Sequence, residues 1–234
     1  MNVPQSHRKS EPHGSYLPAL SFHSLTRFYD PLIRITMREQ VFKSRLIQAA
    51  DIRPGATVLD LGCGTGTLAL MLKEACPHAR VIGLDGDPEI LAIARRKVEA
   101  KGVDVELQEG LAFELPFADA AFDRVVSSLV FHHLSTADKL RSLKEVSRVL
   151  KGSGEIHIAD WGQPHNLLMQ VLALPLRVFD GEATHANIQG RLPELMRDAG
   201  FLDVRETHRS MTPFGTLSFY RGRSGRGSEP SSGN

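Results

Sequence analysis

An α/β fold built on a doubly wound, mostly parallel sheet of seven strands is the architecture this sequence predicts. Three observations carry it. Between about residues 54 and 162, short apolar runs alternate with amphipathic stretches, the pattern of strand–helix–strand units on a parallel sheet. The first of these runs, residues 58–61, enters a glycine-rich turn at Gly62, Gly64 and Gly66 that opens a helix. Near the end of the chain, two segments flanking Thr212-Pro213 read as a final antiparallel pair.

The elements follow in order. Residues 1–14 are polar, with two prolines and a glycine, and are expected to be disordered. Residues 15–53 form a helical N-terminal cap. Its first part is apolar and aromatic, and Asp30-Pro31 caps a helix running to about Ala50. The main domain spans residues 54–220. A helix over about 66–76 follows the glycine turn. Val81, Ile82 and Leu84 form the second strand, with Asp85 at its end. Asp87 caps the next helix, Pro88 takes its first position, and Gly102 ends it after a buried face at Ile90, Ala94 and Val98. A third strand precedes Glu109. Val125, Val126, Leu129 and Val130 suit a central fourth strand buried on both faces. Ser135 or Thr136 caps a helix over about 136–150. A turn at 150–154 leads into a fifth strand ending at Asp160 and Trp161.

Residues 164–190 then break the alternation and are long enough for a lid or pocket wall. A short helix over 191–199 precedes the closing strands at 202–210 and 214–220. The tail from Arg221 is rich in Gly, Ser and Arg and is expected to be disordered.

The glycine turn dictates the kind of ligand. Without Cβ atoms the backbone turns tightly and a ligand approaches it closely, and the helix start behind offers unpaired N–H groups to a negative group. A nicotinamide or flavin site wants G-x-G-x-x-G, but Thr67 holds the sixth position and the third glycine falls one place early. Asp60, two residues before the first glycine, would repel phosphates and suits a cationic ligand. Asp85 stands 23 residues after Gly62, about the spacing at which a carboxylate reaches ribose hydroxyls.

These residues resemble motif I and the following landmarks of the class I S-adenosylmethionine (SAM)-dependent methyltransferases, in the subgroup of the quinone-biosynthesis C-methyltransferases. The resemblance covers roughly residues 54–162 and includes the 109–117 loop, the 122–134 strand end and the 150–161 turn and strand. It implies the Rossmann-like methyltransferase fold, SAM as cofactor, S-adenosylhomocysteine as product, and no metal. It also implies cofactor contacts at Asp60, Gly62, Cys63, Gly64, Gly66, Asp85, Gly86, Leu111, Ala112, Ser128 and His133. Leu111 stands where many members carry an Asp to the adenine amino group. His132, His133 and Asp160 are the candidate bases at the acceptor rim, with His23 and His185 as further histidines, and Phe28, Tyr29, Trp161 and Phe179 are candidate walls of the acceptor pocket. The acceptor implied is a small, lipophilic or aromatic molecule. A SAM-binding protein that does not methylate, such as a regulatory subunit or cyclase, and an NAD-dependent oxidoreductase are the alternatives.

Composition sets bounds. The 234 residues suit one α/β domain with additions, and a net charge of +1 gives no global field for nucleic acid or an anionic membrane. Cys63 and Cys76 make no metal spacing and read as reduced thiols of a cytoplasmic protein. No apolar run suggests a signal peptide or a membrane span.

Overall fold

The computed structural model describes residues 39–172 and 187–226. Helix α1 (Glu39–Ala50) leads into β1 (Thr57–Leu61), α2 (Thr67–Ala75), β2 (Arg80–Asp85), α3 (Pro88–Lys101) and β3 (Val105–Glu109). Then come β4 (Phe122–Ser128), a 3-10 turn (Phe131–His133), α4 (Thr136–Val149), β5 (Leu150–Trp161), α5 (Leu167–Leu172), α6 (Leu192–Asp198), β6 (Leu202–Thr212) and β7 (Gly215–Arg223). The strands form one seven-stranded sheet in the order β3-β2-β1-β4-β5-β7-β6. β1 to β5 pair in parallel, and β7 runs antiparallel between β5 and β6. The chain winds outward from β1 to β3 and returns to β4 beside β1. The crevice beyond the C-terminal ends of β1 and β4 is therefore the switch point where open α/β sheets take ligands.

Alternation along the strands sends side chains to two cores. Leu59, Leu61, Val125, Ile156 and Ile158 pack with Leu143 and Val146 of α4 and Leu192 and Met196 of α6. Val58, Val81, Val126 and Ala159 pack with Phe42 and Leu46 of α1 and Leu68 and Leu72 of α2. Each of the larger of these side chains, fully buried, contributes about 1.5–3 kcal/mol, which fixes the strand ends that carry the site.

Local signals hold where the chemistry is local. The Asp87 carboxylate accepts from the N–H groups of Glu89 (2.9 Å) and Ile90 (3.3 Å), and Gly102 ends α3 at φ 62°. Ser135 Oγ accepts from the Asp138 N–H at 3.1 Å and caps α4. Three expectations are corrected. The fourth strand stops at Ser128, because Leu129 turns into the left-handed region (φ 58°) and its N–H bonds the Ala159 carbonyl at 2.8 Å. Residues 150–154 lie within β5 as an irregularity, Phe122 pairing with Leu150 and Arg124 with Glu155. Residues 221–226 are not a loose tail. Arg221 and Arg223 lie in β7 and bond Glu155 and Asp203, Arg226 pairs with Asp119 (2.8 Å), and the Ser224 N–H bonds the Gly154 carbonyl.

The expected disordered N-terminus, the 15–38 part of the cap with Phe28 and Tyr29, and residues 173–186 of the lid with Phe179 lie outside the described residues. No described helix is long and apolar enough to cross a membrane.

No helix joins β3 to β4. Residues 110–121 form a loop held by α4, where Arg148 donates to the carbonyls of Phe117 (2.8 Å) and Leu115 (3.0 Å) and Glu145 accepts from the Leu115 N–H. A cleft of about 490 Å³ lies beneath it, lined by Thr57, Arg80, Glu106 and Phe117 among others. It opens at the N-terminal ends of the strands, opposite the switch point.

Candidate cofactor and acceptor site

The glycine turn is built as its composition requires. Gly62, Gly64 and Gly66 all take left-handed φ values, at 69°, 54° and 76°. A Cβ on Gly62 would stand 2.4 Å from Val130 Cγ2, whereas one on Gly64 would meet nothing within 4 Å. Gly62 is thus needed for close packing of the turn on the β4 end, and Gly64 leaves its outer side open. The N–H groups of Gly62 and Cys63 share the Leu84 carbonyl, and Lys97 Nζ donates to Thr65 Oγ1 at 2.7 Å. No side chain caps α2 at Gly66, so the turn presents helix N–H groups that a carboxylate would satisfy. Cys63 is buried and packs inward against Gly83, and burial with the nearby Asp60 and Asp85 pushes its thiol pKa up, so it stays neutral.

Asp85 ends β2 beside Gly86 and ties three pieces of the site together. One carboxylate oxygen accepts from Gly64 N–H (2.8 Å) and the other from Asp87 N–H (3.0 Å). Each oxygen has capacity for a second bond, which suits a vicinal diol. The Asp85 carbonyl accepts from the Gly110 N–H at 3.0 Å, which brings the half-buried Leu111 and Ala112 to the same rim. Replacing Asp85 by alanine should weaken SAM binding at least tenfold, about 1.4 kcal/mol, and also lower the melting temperature, since Gly64 loses its anchor. Unchanged affinity in a calorimetric titration would mean that the ribose is held elsewhere.

Asp60 is the most unusual group. It is 1% exposed, and neither carboxylate oxygen has a hydrogen-bond partner. Burial pushes its pKa up to about 7, with Lys43 of α1 opposing, Asp85 adding to the shift and the nearby Ala69 N–H in the first turn of α2 opposing more weakly. Lys43 is itself buried and pairs with Glu39 at 2.6 Å. A buried carboxylate with no partner costs free energy unless something pairs with it. A cationic ligand at the turn would do so, and the residues present therefore fit SAM, with its ammonium, sulfonium, carboxylate and ribose.

The acceptor rim is organised by Asp160. Its carboxylate, 0% exposed, accepts from the N–H groups of Val130 (3.1 Å), Phe131 (2.7 Å) and Trp161 (2.7 Å) and meets His132 Nδ1 at 2.8 Å. Burial alone would raise its pKa, but His132 and these bonds outweigh it and hold the carboxyl low. Asp160 and His132 are therefore one unit. Exposed His133 lies against His132, ring centroids 3.9 Å apart, and Ser128 is half-buried where β4 ends. Trp161, expected at the pocket wall, packs with Leu217 and Phe219 in the α1/α2 core, and its ring centroid lies 6.1 Å from that of His132.

Sequence reasoning passed over Lys139. It is 0% exposed in the first turn of α4, and Nζ donates to the Leu134 carbonyl at 2.8 Å. Burial pulls its pKa down to about 8, opposed by Asp160. The signal was present, because Lys139 and Ser142 occupy the N-terminal end of the stripe continued by Leu143, Val146 and Val149. Among the described residues no cluster of three His, Cys, Asp or Glu side chains could hold a metal ion.

Comparison with known proteins agrees with this geometry. A family described as a methyltransferase domain matches residues 58–154. The chain is 39% identical over 145 residues to a demethylmenaquinone methyltransferase of Thermus thermophilus, covering 61% of this chain and 65% of that one. It is 33% identical to an uncharacterized methyltransferase of Synechocystis sp., covering 72% and 77%. The chain spans less than two thirds of the length of the demethylmenaquinone methyltransferases it matches first. Among solved structures, a SAM-dependent methyltransferase from Aquifex aeolicus superposes with a TM-score of 0.59 at 22% identity, over 77% of this chain and 89% of that one, and shares the fold. The chain belongs to the SAM-dependent methyltransferase family.

Proposed function

We propose that this protein transfers a methyl group from SAM to a small, lipophilic or aromatic acceptor by in-line displacement. The observation that carries the reading is the unpartnered Asp60 carboxylate at an uncapped helix start, with Asp85 one strand away. Two carboxylates at one rim suit a ligand with a cation and a diol and disfavour a pyrophosphate. When bound, SAM supplies a methyl group already activated by its sulfonium. In this reading Asp60 pairs with positive charge, Gly64 and the start of α2 hold the carboxylate, Asp85 holds the ribose, and Leu111 and Ala112 border the adenine. The turn and rim then align the reacting atoms, which supplies up to about 7–11 kcal/mol in favourable cases.

The names of the relatives support a lipophilic ring as acceptor. Phe28, Tyr29 and Phe179 are assigned to its pocket by their place in the sequence. Asp160 acts as a positioning residue for His132, which takes a proton from the acceptor where one must leave. His132→Gln should lower kcat by about 100-fold, the low end of general-base contributions, with SAM affinity unchanged. The test is S-adenosylhomocysteine formation by the purified protein with a panel of phenols, hydroquinones and lipids. Product carrying an added methyl group supports the reading. Adenosyl binding without any methylated product would favour a non-methylating SAM protein.

A further inference from the structure

A second group of buried polar side chains lies on the α4/α6 face of the sheet, at the C-terminal end of β5. Asp160 pairs in register with Ser218, and Ile158 with Tyr220, so Asp160, Ser218 and Tyr220 share this face. Lys139, which feels the Asp160 charge, enters from α4, and buried Asn187 lies in the segment that leads into α6. Asp160, Ser218, Lys139 and Asn187 are 0% exposed. The Asn187 segment is fixed against the rim. Its carbonyl accepts from the Gly190 N–H at 2.9 Å, and a Cβ on Gly190 would stand 3.3 Å from Gln163 Oε1, just beyond Trp161. Leu192, one turn on, packs in the same core as Phe131.

Asn187 is anomalous within this group. Both Oδ1 and Nδ2 are buried without a hydrogen-bond partner, and among the described residues only Asp60 shares that condition at two side-chain atoms. Each unpaired buried group costs about 1–3 kcal/mol. At Asp60 the cofactor reading resolves this cost, and at Asn187 a second ligand would do the same. A carboxamide offers one acceptor and one donor face, so its complement is a neutral group that both donates and accepts. A hydroxyl meets that requirement.

We propose that Asn187 is the specificity-determining contact for a ring hydroxyl of the methyl acceptor. Oδ1 accepts the hydroxyl hydrogen, and Nδ2 donates to its oxygen. A hydroxyl satisfies both faces of the amide, whereas an ether oxygen can only accept from Nδ2 and a hydrocarbon satisfies neither. The site is distinct from the glycine turn, so cofactor affinity does not depend on it. The assignment rests on the methyl-transfer reading for the identity of the ligand, and its test separates the two.

The experiment titrates the full chain, saturated with S-adenosylhomocysteine, with 1,4-dihydroxynaphthalene and with 1,4-dimethoxynaphthalene, following the fluorescence of Trp161, the sole tryptophan. The unsubstituted protein should bind the dihydroxy compound at least tenfold more tightly. Asn187→Leu should erase that preference while leaving S-adenosylhomocysteine affinity unchanged. Equal binding of the two probes, binding of neither, or a preference that survives in Asn187→Leu would overturn the proposal. Should Asn187→Leu fail to fold, Asn187→Asp reads the same ratio. Failure of the methyl-transfer reading would appear separately, as lack of S-adenosylhomocysteine binding.

Discussion

Asp60→Asn is expected to make the ligand-free protein more stable and its cofactor affinity worse. In the folded chain the carboxyl titrates at about 7 against an ordinary 3.8. Between those values the folded state holds a proton that the unfolded chain has released. Stability therefore falls as pH rises from about 4 to 7, and stays low above 7. A shift of about three units corresponds to roughly 4 kcal/mol at pH 8. Asparagine never ionises and escapes most of that cost, so the melting temperature at pH 8 should rise by roughly 5–10 °C for a chain of this size.

Cofactor binding moves in the opposite sense. A cation prefers the ionised carboxylate, so binding below pH 7 must expel a proton, and affinity should fall as pH drops from 7 toward 5. Asp60→Asn should flatten that pH dependence and weaken SAM by roughly 30-fold, about 2 kcal/mol, the scale of a charge-assisted contact. Scanning calorimetry and titration at pH 6 and 8 check both halves. A variant less stable than the parent with unchanged affinity would show that Lys43, not a ligand, is the partner of Asp60.

Asp160→Ala is expected to be the most damaging single change at the acceptor rim. It would leave the N–H groups of Val130, Phe131 and Trp161 and the His132 ring without their acceptor, most of them buried. At about 1–3 kcal/mol for each unsatisfied group, a loss of about 4 kcal/mol is a conservative expectation. The melting temperature should drop by roughly 8–16 °C. The low pKa of this carboxyl makes its contribution full above the ordinary carboxylate range and lost as pH falls through its own lower value. Acid unfolding should thus begin at higher pH in the variant. A melting temperature within 2 °C of the parent would mean that β4 and the 3-10 turn stand without Asp160.

The parts of the fold written in neighbouring residues were legible from sequence. The glycine turn, Asp87 as a cap, Gly102 as a stop and the alternating sheet all depend on contacts within a few positions, or on periodicity. The role of Asp160 was not, because its partners lie about 30 residues back, and only the parallel pairing of β4 with β5 brings them together. Lys139 reads as an ordinary surface lysine until the face of α4 is known. The 221–226 segment misleads by composition. Its arginines look like a solvated tail, but the cross-strand carboxylates of Glu155 and Asp203 and the loop carboxylate of Asp119 order them. Leu129 in the left-handed region has no local signal, since a leucine reaches it only under tertiary constraint.

The cofactor reading is tested most directly by calorimetric titration of the full chain with SAM and S-adenosylhomocysteine at pH 8 and pH 6, with NAD as control. Saturable binding of both adenosyl ligands, none of NAD, and weaker SAM binding with proton release at pH 6 is the expected result. Binding of NAD, or no binding of either adenosyl ligand, would contradict the assignment of Asp60, Asp85 and the glycine turn.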